Sequence, residues 1–270
     1  MAKKKVVIVV PISNRSELTP SEEISLRHLR KYLGHYDIYI VAPEGLDIEF
    51  PDLKIKRFSP RYFGSAVNYM RMVMSSWFYE AFDDYEYMLT YQLDALIFSD
   101  QLLAWCEKGY DFIGAPWVEH DDSPNKGRVY DGKVGNSGFC LKKIDTFIKL
   151  YSSDRYAYSV FERWQKKYAH KSLLRKAVYL PDFFLGFFKQ YNGVEWELSN
   201  WSMIEEAFLV TRAGHYYSGY NVPDVKEALG FAFEIVPEYC YQLNNNELPF
   251  GCHAWERYDK NFWEPHLLKG

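Results

Sequence analysis

The run Val6-Val7-Ile8-Val9-Val10 constrains this chain more than any other feature. Five consecutive branched apolar residues leave no polar face to turn toward water, so the strand they form must be covered on both sides. That is the situation of a central strand in a parallel sheet with helices above and below it. The strand is read as Lys5 to Val10, and the residues after it agree. A loop, Pro11-Ile12-Ser13-Asn14-Arg15, leads to Thr19-Pro20-Ser21-Glu22. There Thr19 caps a helix, Pro20 takes the first helical position, and Glu22 completes a T-x-x-E capping box. Leu26, Leu29 and Leu33 supply the buried stripe, and Gly34 ends the helix.

The same alternation continues. Asp37 to Val41 and Lys54 to Phe58 read as strands two and three. The spacing of Met70, Val73, Met74, Trp77, Phe78 and Ala81 predicts one long helix over Ser65 to Phe82. Tyr87 to Tyr91 is the fourth strand. The order β-α-β-β-α-β implies an α/β fold: one three-layer domain around a mostly parallel, Rossmann-like central sheet, with ligands beyond the carboxyl ends of its strands. Past residue 100 the pattern weakens to short strands at Phe112-Ile113 and Gly138 to Leu141. Helices are expected around 143–151, 155–168 and 202–212, with aromatic-rich loops between. The reading is a single domain over 1–270, with a nucleotide-binding half (1–100) and an acceptor and catalytic half (101–270).

Composition removes several classes. A net charge of -4 and a pI near 6.0 argue against a nucleic-acid binder, which carries a basic face. Four cysteines without C-x-x-C spacing are read as reduced thiols in a cytoplasmic protein rather than as a disulfide or zinc framework. The apolar run behind Lys3-Lys4-Lys5 is too short for a signal peptide, and no stretch approaches the roughly 18 residues of a spanning helix. Peripheral association with a membrane stays open. Aromatics are abundant, at 19% of the chain. They fill a core or line a groove for bases and sugars, and Trp117, Trp201 and Trp255 are candidates for the latter.

No G-x-G-x-x-G follows the first strand, and there is no P-loop, G-x-S-x-G or H-E-x-x-H motif. The most informative stretch is Tyr91-Gln92-Leu93-Asp94-Ala95, where an apolar strand runs into Gln92-x-Asp94. A carboxylate there can hold a hard divalent cation with a nucleotide diphosphate as co-ligand, or simply cap a polar corner. Pro11, Ser13, Asn14 and Glu44 follow strands one and two, where a nucleoside would lie in this architecture. Asn68 and Arg71 share the polar face of the long helix and are donor candidates, Arg71 for a phosphate. Gly135-Asn136-Ser137-Gly138 allows close backbone approach to a ligand, with Asn136 and Ser137 offering hydrogen bonds, or it is a tight turn. Glu119-His120-Asp121-Asp122 is dense in metal-ligand types but leads into turn chemistry, and is read as a mobile surface loop.

The Gln92-Leu93-Asp94 segment resembles the D-x-D motif of GT-A glycosyltransferases, with Gln92 in place of the first acid. More closely, the chain resembles a poorly characterised glycosyltransferase-like family of that type. The likeness runs through residues 91–95, Gly109 to Trp117, Val134 to Phe139 and Pro249 to Trp255. It implies a transferase moving a sugar from a nucleotide-diphosphate donor to a carbohydrate or other hydroxyl acceptor, in surface polysaccharide synthesis. It also implies Mn²⁺ or Mg²⁺ held by Asp94 with the late histidine His253, Gln92 on the donor side, and Gly135 to Gly138 near the sugars. Ile204-Glu205-Glu206 is similar to an x-E-D motif that supplies the base of inverting members, which makes Glu206 the first candidate and Glu205 the second. The other reading, from a different class, is a non-catalytic nucleotide- or carbohydrate-binding module, for which Gln92 is the best argument.

Overall fold

The computed structural model describes residues 2–268. Its main sheet has six strands: β1 (Lys4–Pro11), β2 (Asp37–Pro43), β3 (Lys54–Phe58), β4 (Tyr85–Tyr91), β6 (Phe112–Gly114) and β7 (Phe139–Lys143). Their spatial order is β3-β2-β1-β4-β7-β6. β1 lies between β2 and β4, parallel to both, and Val6 to Val10 are buried, as an apolar run with no polar face requires. β7 runs antiparallel to both β4 and β6, so five of the six strands point one way. Because β7 and β6 complete the sheet, it extends past residue 100 and is shared by both halves of the chain.

Helix α1 (Pro20–Leu33) starts on the expected capping box, with Thr19 and Glu22 bonded reciprocally, and closes on Gly34. It buries Leu26, Leu29 and Leu33. The expected single helix over 65–82 is two. α2 (Ala66–Val73) stops at Met74, and α3 (Ser76–Glu80) starts again after it. Serine chemistry breaks it: the Ser75 hydroxyl donates to the Met72 carbonyl at 2.5 Å, and the Tyr79 hydroxyl takes the Val73 carbonyl at 2.9 Å. The crossover from β1 to β2 and that from β3 to β4 travel in opposite directions across the sheet. Right-handed connection therefore puts α1 on one face and α2–α3 on the other, where α3 packs on α5 (Ile144–Tyr151).

α4 (Leu102–Glu107) lies between β5 (Leu96–Ile97) and β6. After α5 the chain leaves the sheet for a helical excursion made of α6 (Val160–Tyr168), α7 (Leu173–Val178), α8 (Leu180–Leu185) and α9 (Val194–Ser199). α6 begins later than the expected 155, because Ser159 and Glu162 form a second capping box there. The chain returns through α10 (Glu205–Thr211), α11 (Ala213–Tyr216) and α12 (Val225–Phe231). A second, small sheet closes the fold, with β5, β9 (Gly251–Cys252) and β8 (Ala232–Phe233) in that spatial order. α13 (Pro237–Leu243) lies between β8 and β9, and α14 (Lys260–Trp263) comes after them. The four cysteines are free and buried. Among the described residues no helix is long and apolar enough to cross a membrane.

Candidate active site

Register brings distant residues together. β7 pairs antiparallel with β4, Tyr91 opposite Phe139, so Gln92 at the carboxyl end of β4 meets Gly138; the Gln92 N–H donates to the Gly138 carbonyl at 2.9 Å. In the small sheet, β8 and β9 run parallel with Phe233 opposite Cys252, which sets Glu234 beside His253. β5 runs antiparallel to β9 with Leu96 opposite Cys252, so Asp94, two residues earlier, lies at the same end. Three chain segments thus deliver Asp94, Glu234 and His253 to one point beyond the carboxyl end of β4.

There the imidazole of His253 stands between carboxylates. Nδ1 is 2.9 Å from Glu234 Oε1, and Nε2 is 3.2 Å from Asp94 Oδ1 and 3.3 Å from Gln92 Oε1. Burial works against a charge on this ring, but hydrogen bonds and field from Asp94 and Glu234 outweigh it and push the His253 pKa up to about 10. Burial likewise lifts Asp94, yet His253 holds its carboxyl below the ordinary range. The Asp94 side chain is 51% exposed while that of His253 is only 12% exposed, so Asp94 is the member of the group that meets solvent. Behind them Glu234 is fixed by the Trp117 indole N–H at 2.5 Å and by the Asn136 amide at 2.6 Å.

The donor set fits a divalent cation. Two side-chain oxygens, of Gln92 and Asp94, are turned on the one ring nitrogen of His253 that Glu234 does not engage. A carboxylate accepting from the opposite ring nitrogen is the usual support of a ligating histidine. A cation held there would replace a proton on Nε2, the ring nitrogen that faces Asp94 and Gln92. Among the described residues no three His, Cys, Asp or Glu side chains group as metal ligands, the third donor here being an amide oxygen.

Glu206 forms a second center. Its Oε1 accepts from the Ser137 amide at 3.0 Å and from the Ser137 hydroxyl at 2.6 Å. Glu205, one residue earlier on α10, turns inward: its Oε1 accepts from Lys142 Nζ at 2.8 Å and from the Tyr151 hydroxyl at 3.3 Å. The side chains of Lys142 and Glu205 are 2% and 4% exposed. Burial disfavours the Lys142 ammonium, but Glu205 beside it holds that charge above the ordinary lysine range.

Two adjoining cavities of about 520 and 510 Å³ join these centers, sharing Ala66, Tyr69 and Gln92. Pro11, Ser13, Asn14, Gln92 and Asp94 line the first. Ser137, Glu205 and Glu206 line the second, with Val67, Met70, Met203 and Ile204. Glu44, Asn68 and Arg71 line neither. Glu44 is exposed just after β2, and on α2 Asn68 is half-buried and Arg71 exposed. Asn136 is a turn builder rather than a ligand contact. It is buried at φ +42°, its Oδ1 accepts from the Gly138 and Phe139 amides, and its amide is spent on Glu234.

Gly135 and Gly138 serve packing. A Cβ at Gly135 would meet the Trp117 ring at 2.1 Å, and one at Gly138 would meet His253 Nε2 at 2.0 Å. Trp117 and Trp255 are buried, 3% and 1% exposed, so neither ring is open for stacking. Trp201 is half-buried and packs edge-on against Phe208. In the 119–122 loop, Asp121 pairs with Lys126 at the surface and His120 packs on Tyr239.

Sequence reasoning passed over Glu234 and Lys142. The available signal was the same for both: a charge placed directly against a wholly apolar stretch, Phe231-Ala232-Phe233 in one case and Phe139-Cys140-Leu141 in the other.

Fold and cleft together define an α/β protein with a polar, carboxylate-bearing cleft at the carboxyl ends of its strands. The chain belongs to the family described as "protein of unknown function (DUF5672)", whose model matches residues 52–253. No curated protein matches it. Solved structures it is similar to include the apo glycosyltransferase GlyE of Streptococcus pneumoniae TIGR4, at 13% identity and TM-score 0.44, over 99% of this chain and 61% of that one. Another is an active-site mutant of LgtC, at 11% identity and TM-score 0.46, over 92% of this chain and 86% of that one. A third is the mannosyltransferase Ktr4p of S. cerevisiae in complex with GDP, at 9% identity and TM-score 0.34, over 54% and 58%. This chain therefore spans about 61% of the length of GlyE. Likenesses this distant carry no weight for the chemistry, which is read from the residues of the cleft alone.

Proposed function

We propose that the cleft transfers a sugar from a nucleotide-diphosphate donor to a hydroxyl acceptor. The observation that carries this reading is the pairing, within one double cavity, of a cation-type donor set with a separately held carboxylate. Pro11, Ser13 and Asn14 line the side where a nucleoside would lie, Gln92 and Asp94 line the same cavity, and His253 contacts both of them. A Mn²⁺ or Mg²⁺ ion bound by those three would offset the charge that develops on a leaving diphosphate.

Glu206 faces the other cavity as general base. Its Oε1 is occupied by Ser137, which fixes the carboxylate and leaves Oε2 to accept the acceptor's proton. As that proton leaves, the acceptor oxygen bonds the anomeric carbon, and the bond from that carbon to the diphosphate oxygen breaks with its electron pair on the diphosphate. Attack from the side opposite the leaving group inverts the center. Glu205 is a positioning residue: paired with Lys142 on β7, it ties the first turn of α10 to the sheet.

The test is thermal stability with UDP-, GDP-, CMP- and dTDP-linked sugars, each with and without Mn²⁺. A ligand present at ten times its Kd stabilises the folded chain by about 1.4 kcal/mol. A Mn²⁺-dependent rise with one nucleotide, lost in Asp94→Ala and kept in a Glu206→Gln variant that no longer transfers sugar, is the expected result. A rise that ignores Mn²⁺, with no turnover, replaces this reading with the binding module that Gln92 suggests. No rise with any donor overturns the account of the cleft.

A further inference from the structure

The excursion α6–α9 inverts the usual placement of side chains. At its center is an arginine: Arg163, 1% exposed, pairs with Asp182 at 2.9 Å and donates to the Tyr191 carbonyl at 2.6 Å. Lys167 reaches the same Asp182 at 2.9 Å, and Tyr168 stacks on Tyr179 at 4.5 Å. Outside, Phe161, Val178, Leu180, Phe184, Phe187 and Phe188 are 51–73% exposed. Leu180, Phe184, Phe187 and Phe188 fall at i, i+4, i+7 and i+8 along α8 and the turn after it, one side of a helix. An exposed apolar face on a polar-pinned scaffold marks an interaction surface.

Charge identifies the partner. Between Ser153 and Tyr191 there are eight Lys and Arg against three Asp and Glu, in a chain of net charge -4. This stretch, which carries α6–α8, is therefore basic while the rest of the molecule is acidic. Lys166, Lys171, Arg175 and Lys176 have no carboxylate partner among the described residues. Lys166 and Lys176 instead extend over the Tyr158 and Trp164 rings. A second copy paired symmetrically through this face would set the basic residues of the two copies against one another. A bilayer with anionic headgroups satisfies both: the rings enter the interface and the cations stay at headgroup level.

We propose that α6–α8 dock this protein peripherally on an anionic membrane surface, with Phe184, Phe187 and Phe188 inserted and Lys171, Arg175 and Lys176 on the phosphates. The test is co-sedimentation of the full chain with vesicles of phosphatidylcholine alone or mixed with phosphatidylglycerol, at low and high salt. Binding is expected only to the mixed vesicles and weakens with salt. In Lys171→Gln/Arg175→Gln/Lys176→Gln it falls about fivefold for each charge removed. It is lost in Phe184→Ser/Phe187→Ser/Phe188→Ser, whose far-ultraviolet dichroism and thermal midpoint match wild type because these side chains face solvent. Absence of wild-type binding to mixed vesicles overturns the proposal, as does binding that the triple Phe variant leaves unchanged. So does a concentration-dependent dimer that the same variant dissolves, which would assign the face to a second copy of the chain.

Discussion

Gly138 illustrates how closely single residues are fitted at this site. An added methyl would lie 2.0 Å from His253 Nε2, on the nitrogen that faces Gln92 and Asp94. Gly138→Ala must therefore push the imidazole off its two oxygen partners. The expected outcome is a folded protein destabilised by about 1–3 kcal/mol, as for other overpacked cores, in which any Mn²⁺-dependent shift with a nucleotide sugar is gone. Differential scanning fluorimetry with and without the cation reads both effects. A cation response equal to wild type would mean that His253 is not part of the donor set. The neighbouring loops are held as tightly: Asn136, Val236 and Ala254 each adopt left-handed backbone beside a site residue, at φ +42°, +43° and +52°. For a β-branched residue such as Val236 that conformation costs free energy, so the loop after Glu234 keeps its shape at the expense of local stability.

Between elements, the Lys142–Glu205 pair joins β7 to the first turn of α10 inside the core. Removing one partner leaves a buried charge alone, so Lys142→Met is expected to cost about 3–5 kcal/mol, and Lys142→Met/Glu205→Leu distinctly less. Urea unfolding of the two single variants and the double variant closes the cycle; additive losses would show that the two charges do not interact. At the opposite end of the sheet, Asp37 on β2 accepts from Lys4 at 2.7 Å, from Lys54 on β3 and from the Tyr85 hydroxyl at 2.9 Å. The two lysines hold its carboxyl well below the ordinary range. A depressed folded-state pKa gives stability that is present above the unfolded carboxylate value and lost as pH falls through the folded one. The wild type should therefore lose stability below about pH 4. Asp37→Asn should lose less over the same interval, by about 1 kcal/mol after allowing for solvent screening. Parallel acid curves for the two proteins would remove Asp37 from the acid sensitivity.

For the molecule as a whole, what sequence reveals depends on how local the determining interactions are. The βαββαβ first half was readable because each element carries its own period and caps: Val6 to Val10, the Thr19–Glu22 box, the Leu26, Leu29, Leu33 stripe. The break at Met74 was not, since apolar spacing runs through it and only the Ser75 and Tyr79 hydroxyls interrupt the ladder. Asp94 and His253, singled out from separate segments, stand 3.2 Å apart, and Asp94 and Glu206 line adjoining cavities. Glu234, which anchors the whole group, had no motif of its own; its role exists only through the register of β8 on β9. Glu44, Asn68 and Arg71 are suitable by position along the chain, yet line neither cavity, because nearness in sequence to a strand end or a shared helix does not fix which surface a side chain meets.

The order of the small sheet sets a timetable for synthesis. β9 is made last and sits in the middle, between β5 and β8, so those two strands have no hydrogen-bonded neighbour in that sheet until Gly251 and Cys252 arrive. The main sheet is complete once Lys143 has been made, and His253 follows 110 positions later. At roughly 5–20 residues per second, a nascent chain spends several seconds with a finished sheet and an unfinished site. Asp94 waits through that whole interval, and Glu234 through its last 19 residues, without the imidazole that links them, so the strand that brings His253 is the one that closes the cleft.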